Sequence, residues 1–189
     1  MIEIPDSDIL PYSLEHNFWT WSAQSKVNPI PIKSAKGVYF WDIHGKRYLD
    51  FNSMVMCVNI GHGDERVINA IIDQARELPF AGPQFATKPR AMLGQKLAEI
   101  LPAGLTKYLY TTGGADANEN AIKFARAYTG KYKILTRYRS YHGASYGAVS
   151  LTGDPRRLAW EPTVMPDVVH FLDPFQYRST FHRNRPGIS

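Results

Sequence analysis

The residues with the clearest chemical potential form one run, Thr111-Thr112-Gly113-Gly114-Ala115-Asp116-Ala117-Asn118-Glu119-Asn120. Paired glycines let backbone amides approach an anion closely, and a following helix adds unpaired N–H donors carrying partial positive charge. The chemistry this allows is phosphate binding. Asp116 and Glu119 suit the first turn of such a helix through its dipole. The run has neither the GxGxxG spacing of a dinucleotide fold nor the GxxxxGK[ST] spacing of a P-loop. By itself it is equally a helix with a glycine start and an acidic first turn.

The elements that must position this run are legible on both sides. Lys107-Tyr108-Leu109-Tyr110 is β-prone and predicts a strand. Residues 121–129 predict the rest of the helix, closed by Gly130. A further strand is expected over 132–138, with Ser140-Tyr141-His142-Gly143 at its carboxyl end. Ligands of open parallel sheets lie outside the carboxyl ends of strands, so the glycine loop and the Tyr141 turn are expected to converge on one site. Glu119 and Lys123 stand four apart in the favourable order, which reads Lys123 as a solvated helix partner. A helical stretch at 144–151, a break at Gly153-Asp154-Pro155 and a strand at Val168-Val169-His170-Phe171 follow.

Upstream, residues 1–15 contain Pro5 and Pro11 and read as an irregular lead-in. The aromatic run Phe18-Trp19-Thr20-Trp21 reads as an arm that buries its rings against a neighbouring surface. Strands at 38–42 and 47–51 flank the turn Ile43-His44-Gly45-Lys46. His62, between Gly61 and Gly63, reads as a turn residue. Two amphipathic helices are expected, 64–78 with Val67, Ile71, Ala75 and Leu78 on one face, and 89–101 with Leu93, Leu97, Ile100 and Leu101. Both read as core-facing scaffold.

The 189 residues are 44% apolar and 21% charged, as in an ordinary globular protein. The net charge of +5 is modest. Its basic cluster, Arg178, His182, Arg183 and Arg185, reads as an exposed tail, since no nucleic-acid module accompanies it. Cys57 is the only cysteine, which excludes an intramolecular disulfide framework. The start of the chain lacks the regions of a signal peptide, and no apolar run reaches the roughly 20 residues of a membrane span. The expected setting is soluble and cytoplasmic, without nucleic-acid or membrane partners.

The glycine loop, Tyr141-His142-Gly143 and the upstream pattern Gly37-x-Tyr39-x-x-Asp42-x-x-Gly45-x-x-Tyr48-Leu49-Asp50 occur in an order that resembles the class III pyridoxal-phosphate-dependent aminotransferases. The resemblance runs from about residue 18 to about residue 153. It implies an α/β chain of the fold-type I transferases: residues 1–60 as a small-domain hairpin with an active-site arm, and 61–189 as the first part of the large domain. It implies pyridoxal 5'-phosphate as cofactor, with Gly113, Gly114 and Ala115 at the phosphate, Tyr141 stacked on the ring and His142 beside it. Hydroxyl residues that many relatives carry at the positions of Gly113 and Ala115 are missing here.

By the same resemblance Phe18, Trp19, Trp21 and Met56 border the substrate pocket. Phe85 and Ala86 would contribute to it across a homodimer with a shared active site. The implied activity moves an amino group from an amine or ω-amino acid to a keto acid, and Trp21-Ser22-x-Gln24 resembles members that accept pyruvate. Two family features are not found. No Asp-Glu-Val-Gln-like segment is present, and the Schiff-base lysine would fall beyond Ser189, so Lys26, Lys33, Lys36, Lys46, Lys131 and Lys133 read as solvated. The chain is therefore expected to resemble the first part of a longer enzyme and to be inactive alone. Two alternatives stay open: a non-catalytic remnant of the fold acting as a binding or assembly module, and a generic α/β phosphate-ligand domain.

Overall fold

A computed structural model describes residues 3–161, 164–175, 177 and 181 of the chain. Arg178, His182, Arg183 and Arg185 of the basic cluster lie outside the described residues. Packing divides the chain into two units, Met1–Thr87 and Lys88–Ser189. This division of packing follows the connector before Lys88, whereas the expected split at residue 60 is an assignment by family likeness.

The first unit begins with helix α1, Asp6–His16, where an irregular lead-in was expected. Pro5 stands outside as N-cap, and Asp6 and Asp8 favour the positive end of the helix dipole. Pro11 sits inside and forfeits one intrahelical hydrogen bond. Three strands follow, β1 (Ile32–Lys36), β2 (Tyr39–Asp42) and β3 (Arg47–Leu49), in an antiparallel sheet of order β1-β2-β3. The expected hairpin is β2–β3, and β1 adds an edge that its weak Ile-Lys-Ser-Ala-Lys pattern did not announce.

The spacing of the hairpin motif has a physical cause. Asp42 Oδ1 accepts from the amides of His44 and Lys46, both at 2.9 Å, and Oδ2 accepts from Tyr48 Oη at 3.0 Å. Gly45, at φ +79°, turns the chain back in a conformation that a side chain disfavours. Asp50 works similarly: Oδ1 accepts from Met54 N at 3.1 Å, and Oδ2 lies 2.8 Å from His62 Nε2. His62 thus anchors the segment before it, beyond the turn role expected for it.

Between Asp50 and His62, Ser53, Met54, Val55 and Met56 all have positive φ, from 47° to 63°. A left-handed turn of non-glycine residues costs about 1–2 kcal/mol per residue. The acceptors Asp50 Oδ1 and Asn52 Oδ1, the latter 3.3 Å from Val55 N, hold it in place. Helix α2, Glu65–Glu77, then starts at the N-cap Asp64, which accepts from Arg66 N. The Arg66 guanidinium hydrogen-bonded to Asp64 lowers that carboxyl to about 2.

The second unit contains helices α3 (Lys88–Ile100) and α4 (Gly114–Thr129), strand β4 (Ile134–Arg137), helix α5 (Tyr146–Leu151) and strand β5 (Val168–Phe171). β4 and β5 pair in parallel, from Ile134 opposite Val168 to Arg137 opposite Phe171, with α5 in the connection between them. Gly130 ends α4 at φ +67°. Among the described residues the buried apolar side chains are Ile122, Ala148 and Leu151, on the packed pair α4 and α5.

Two regions differ from what the sequence predicts. Residues 107–110 form no strand, because β-propensity becomes a strand only when a neighbour completes the hydrogen-bond ladder. The apolar faces of α2 and α3 have the expected helical spacing but do not enter a core: Ile71 is 63% exposed and Ile100 66%. No helix among the described residues is long and apolar enough to cross a membrane.

Candidate cofactor-binding site

The N-terminus of α4 and the segment after β4 enclose a cavity of about 450 Å³. Gly114, Ala115 and Asn118 line it from the helix, and Tyr141, His142 and Gly143 line it from the loop. Of the expected cofactor residues, Gly114, Ala115, Tyr141 and His142 are brought together there. Gly113 precedes them as N-cap in extended conformation, without a side-chain cap. The first amides of a helix have no intrahelical acceptor, so the opening turn of α4 offers N–H donors to an anion.

The loop is held against the helix by unusually close packing. Gly143 has φ +127°, and a Cβ there would come within 2.6 Å of Ala115 Cβ and 2.9 Å of Ala148 Cβ. Only glycine fits. The buried Thr152 hydroxyl accepts from His142 N at 3.1 Å and lies 3.0 Å from Ala148 O. On the other side, Thr136 Oγ1 donates to Leu151 O at 2.8 Å and lies 3.2 Å from His142 Nε2. With the Thr136 proton directed at Leu151, His142 Nε2 is the donor in that contact.

Tyr141 remains 43% exposed. The Arg156 guanidinium stands over its ring, 4.6 Å from the centroid, and is held by Asp154 Oδ1 at 2.7 Å. Asp154 in turn stays below the ordinary carboxylate range, chiefly through that Arg156 hydrogen bond. A planar ring and the N-terminal turn of a helix on one cavity fit a phosphorylated aromatic cofactor such as pyridoxal phosphate. A larger groove of about 720 Å³ runs along α2 beside Val67, Ile71 and Ala75. It is a flank of an exposed apolar face, without the convergent donors of the α4 cavity.

Asn118 was not anticipated as a site residue. Its Nδ2 donates to His142 O at 2.6 Å, across 24 residues of sequence. The only signal in the sequence was its position one helical turn after Gly114.

The substrate-pocket candidates all belong to the first unit. Phe18, Trp19 and Trp21 share one loop, stapled by Gln24: its Oε1 accepts from Trp19 N at 3.0 Å and its Nε2 donates to Trp19 O at 2.7 Å. Trp19 Nε1 is buried without a hydrogen-bond partner, and Trp21 takes φ +58°. Met56 closes the left-handed turn and is 70% exposed. Phe85 and Ala86 lie exposed in the connector before α3.

The chain belongs to the class-III aminotransferase family, whose pattern it matches over residues 20–185. It is 36% identical over 168 residues to an isoleucine 2-epimerase of Lentilactobacillus buchneri, covering 87% of this chain and 37% of that protein. It is 32% identical over 154 residues to a putrescine–pyruvate aminotransferase of Pseudomonas aeruginosa, covering 77% of this chain and 34% of that protein. A solved taurine:2-oxoglutarate aminotransferase from Bifidobacterium kashiwanohense, in complex with PLP and glutamate, superposes with a TM-score of 0.85 at 40% identity. That likeness covers 94% of this chain and 40% of the other. The chain thus spans two-fifths or less of the length of these relatives. The fold is that of the fold-type I transaminases, and the family's cofactor is pyridoxal phosphate.

Proposed function

We propose that this chain carries the phosphate- and ring-binding part of an aminotransferase site, for transfer of an amino group from an amine or ω-amino acid to a keto acid. The observation that carries the reading is that the first turn of α4 and Tyr141 line one cavity in a member of this family. The amides at Gly113, Gly114 and Ala115 hold the phosphate. Tyr141 covers a face of the ring, with Arg156 behind it, and His142 is oriented by Thr136. When bound, pyridoxal phosphate supplies an electron sink for the carbanion left by deprotonation of the amine donor. Phe18, Trp19, Trp21 and Met56 shape the amine pocket, and Phe85 and Ala86 complete it across a homodimer. Pyruvate as acceptor is supported by the Trp21-Ser22-x-Gln24 segment and by the putrescine–pyruvate relative.

No lysine lines the described cavity, so the 189-residue chain is expected to bind the cofactor without a dedicated covalent anchor and to show no turnover alone. The test is a titration with pyridoxal phosphate, followed by borohydride trapping and peptide mass mapping. Saturable binding with scattered or absent labelling is the expected result. Stoichiometric labelling of one lysine would show a self-contained site, and absence of binding would refute the reading.

A second reading is epimerisation of an amino acid, supported by the 36% identity to the isoleucine 2-epimerase. The two separate in any preparation that turns over. Alanine formed from pyruvate marks transfer, whereas inversion of isoleucine at its α-carbon without alanine marks epimerisation.

A further inference from the structure

Glu119 is expected from the sequence to face Lys123 along the surface of α4, but its carboxylate turns to the neighbouring loop. Oε1 accepts from Ser145 Oγ at 2.6 Å, Gly147 N at 2.7 Å and Ala148 N at 3.0 Å. Ser145 is the N-cap of α5 but supplies no side-chain cap of its own. Glu119 therefore satisfies the opening amides of α5 from another helix, 28 residues away at Gly147. The approach is close enough that a Cβ on Gly147 would collide with the Glu119 carboxylate.

The preceding residue completes the arrangement. Asn118 donates to His142 O, so consecutive residues of α4 grip both ends of the segment from His142 to Ala148. Glu119 lies four residues after Ala115, a rise of roughly 6 Å along the helix. The helix whose first residues line the cavity thus also holds, one turn later, the loop that brings Tyr141 to it.

We infer that Glu119 is a positioning residue which couples the anion-binding turn of α4 to the Tyr141 loop and fixes the spacing between the phosphate and ring contacts. This inference rests on the proposed cofactor site. Burial disfavours the charged carboxylate, but hydrogen bonds from Ser145, Ala148 and Gly147, with a smaller contribution from Lys123, outweigh it and hold Glu119 below the usual carboxylate range. The clamp is therefore anionic at neutral pH, and charge-assisted hydrogen bonds of this kind are the stronger ones.

The test uses Glu119→Ala and Glu119→Gln in the full 189-residue chain, with affinities for pyridoxal phosphate and inorganic phosphate and with amide exchange across residues 141–148. Inorganic phosphate needs only the helix amides, whereas the cofactor needs both halves at the correct spacing. Glu119→Ala is expected to weaken pyridoxal phosphate roughly tenfold, as loss of a charged hydrogen-bond cluster predicts, and inorganic phosphate less than about twofold. Exchange at Tyr141, Gly147 and Ala148 should quicken, and Glu119→Gln, which keeps an acceptor oxygen, should recover most of both effects. Equal weakening of both ligands would make the effect general to the fold and overturn the inference. Unchanged cofactor affinity would overturn it too. Failure of the unaltered chain to bind pyridoxal phosphate would count against the proposed function instead. Amide exchange would then decide the clamp, and unchanged exchange in Glu119→Ala would overturn it.

Discussion

In the first unit the polar side chains of the hairpin and of the turn after it work on their own neighbourhood, apart from the exposed ion pair of Lys33 with Asp6. Asp42 serves amides two and four residues ahead, Asn52 serves an amide three ahead, and the longest of these reaches, Asp50 to His62, spans 12 residues. In the second unit they reach across the chain: Asn118 to His142 spans 24 residues and Glu119 to Ala148 spans 29. The difference separates a scaffold written as local turn chemistry from a site that exists only when distant segments meet. Disturbing the first should act at one turn, whereas disturbing the second should spread through the cavity.

The largest effect that sharpens this contrast is expected from two glycines with positive φ. Gly143 is crowded by Ala115 and Ala148, while Gly45 has nothing within 4 Å of where a Cβ would stand. Gly143→Ala should cost about 2–4 kcal/mol, from backbone strain together with overpacking. Gly45→Ala should cost only about 1 kcal/mol, from its backbone conformation. Urea unfolding of the two variants gives the ranking, and equal costs would erase the proposed difference.

A middle-sized effect is expected at Thr152, which is 1% exposed and whose hydroxyl accepts from the His142 amide. Thr152→Val should cost about 1–3 kcal/mol by leaving that amide unpaired. Hydrogen exchange should quicken at His142 and Gly143, while the hairpin amides of His44 and Lys46 keep their protection. Acceleration at both places would show that the two units do not respond separately.

The smallest effect is a pH response confined to the hairpin. For Asp42 burial disfavours the charge, but the Lys46, Tyr48 and His44 hydrogen bonds outweigh it and lower its carboxyl below the ordinary 3.8. Asp50 is lowered chiefly by the Met54 amide, with His62 assisting. A carboxyl lowered on folding favours the folded form above its unfolded value and loses that contribution as pH falls through the folded one. Tyrosine and tryptophan fluorescence of the hairpin should therefore hold steady from neutrality to about pH 4 and change below it. A transition centred well above pH 4 would show that these carboxylates do not carry the response.

The legibility of the molecule follows the same division. The Gly37-to-Asp50 pattern identified both the hairpin and the family, because Asp42, Gly45 and Tyr48 act within one turn of each other. The extents of α2, α3 and α4 were readable from caps and periodicity, with Asp64 and Gly130 marking ends. Helix α1 is not legible because Pro5 and Pro11 together suggest irregular chain, whereas in the fold Pro5 stands just outside the helix and Asp6 and Asp8 favour its first turn. The strand expected at 107–110 failed for the opposite reason, since propensity cannot supply a partner. Asn118 and Glu119 stood inside the quoted run, but their partners 24 to 29 residues away could not be read from it.

The sequence by itself marked the glycine loop and Tyr141 as candidates to meet an anion and a ring, the extents of α2, α3 and α4, and the kinship of the chain. Those properties follow from local backbone preferences and from motif order. Only the tertiary structure decided that Asn118 holds the backbone of His142, that Gly143 must lack a side chain, and that Glu119 caps a helix other than its own. Each of these depends on the distance between segments remote in sequence, which packing sets and spacing along the chain does not.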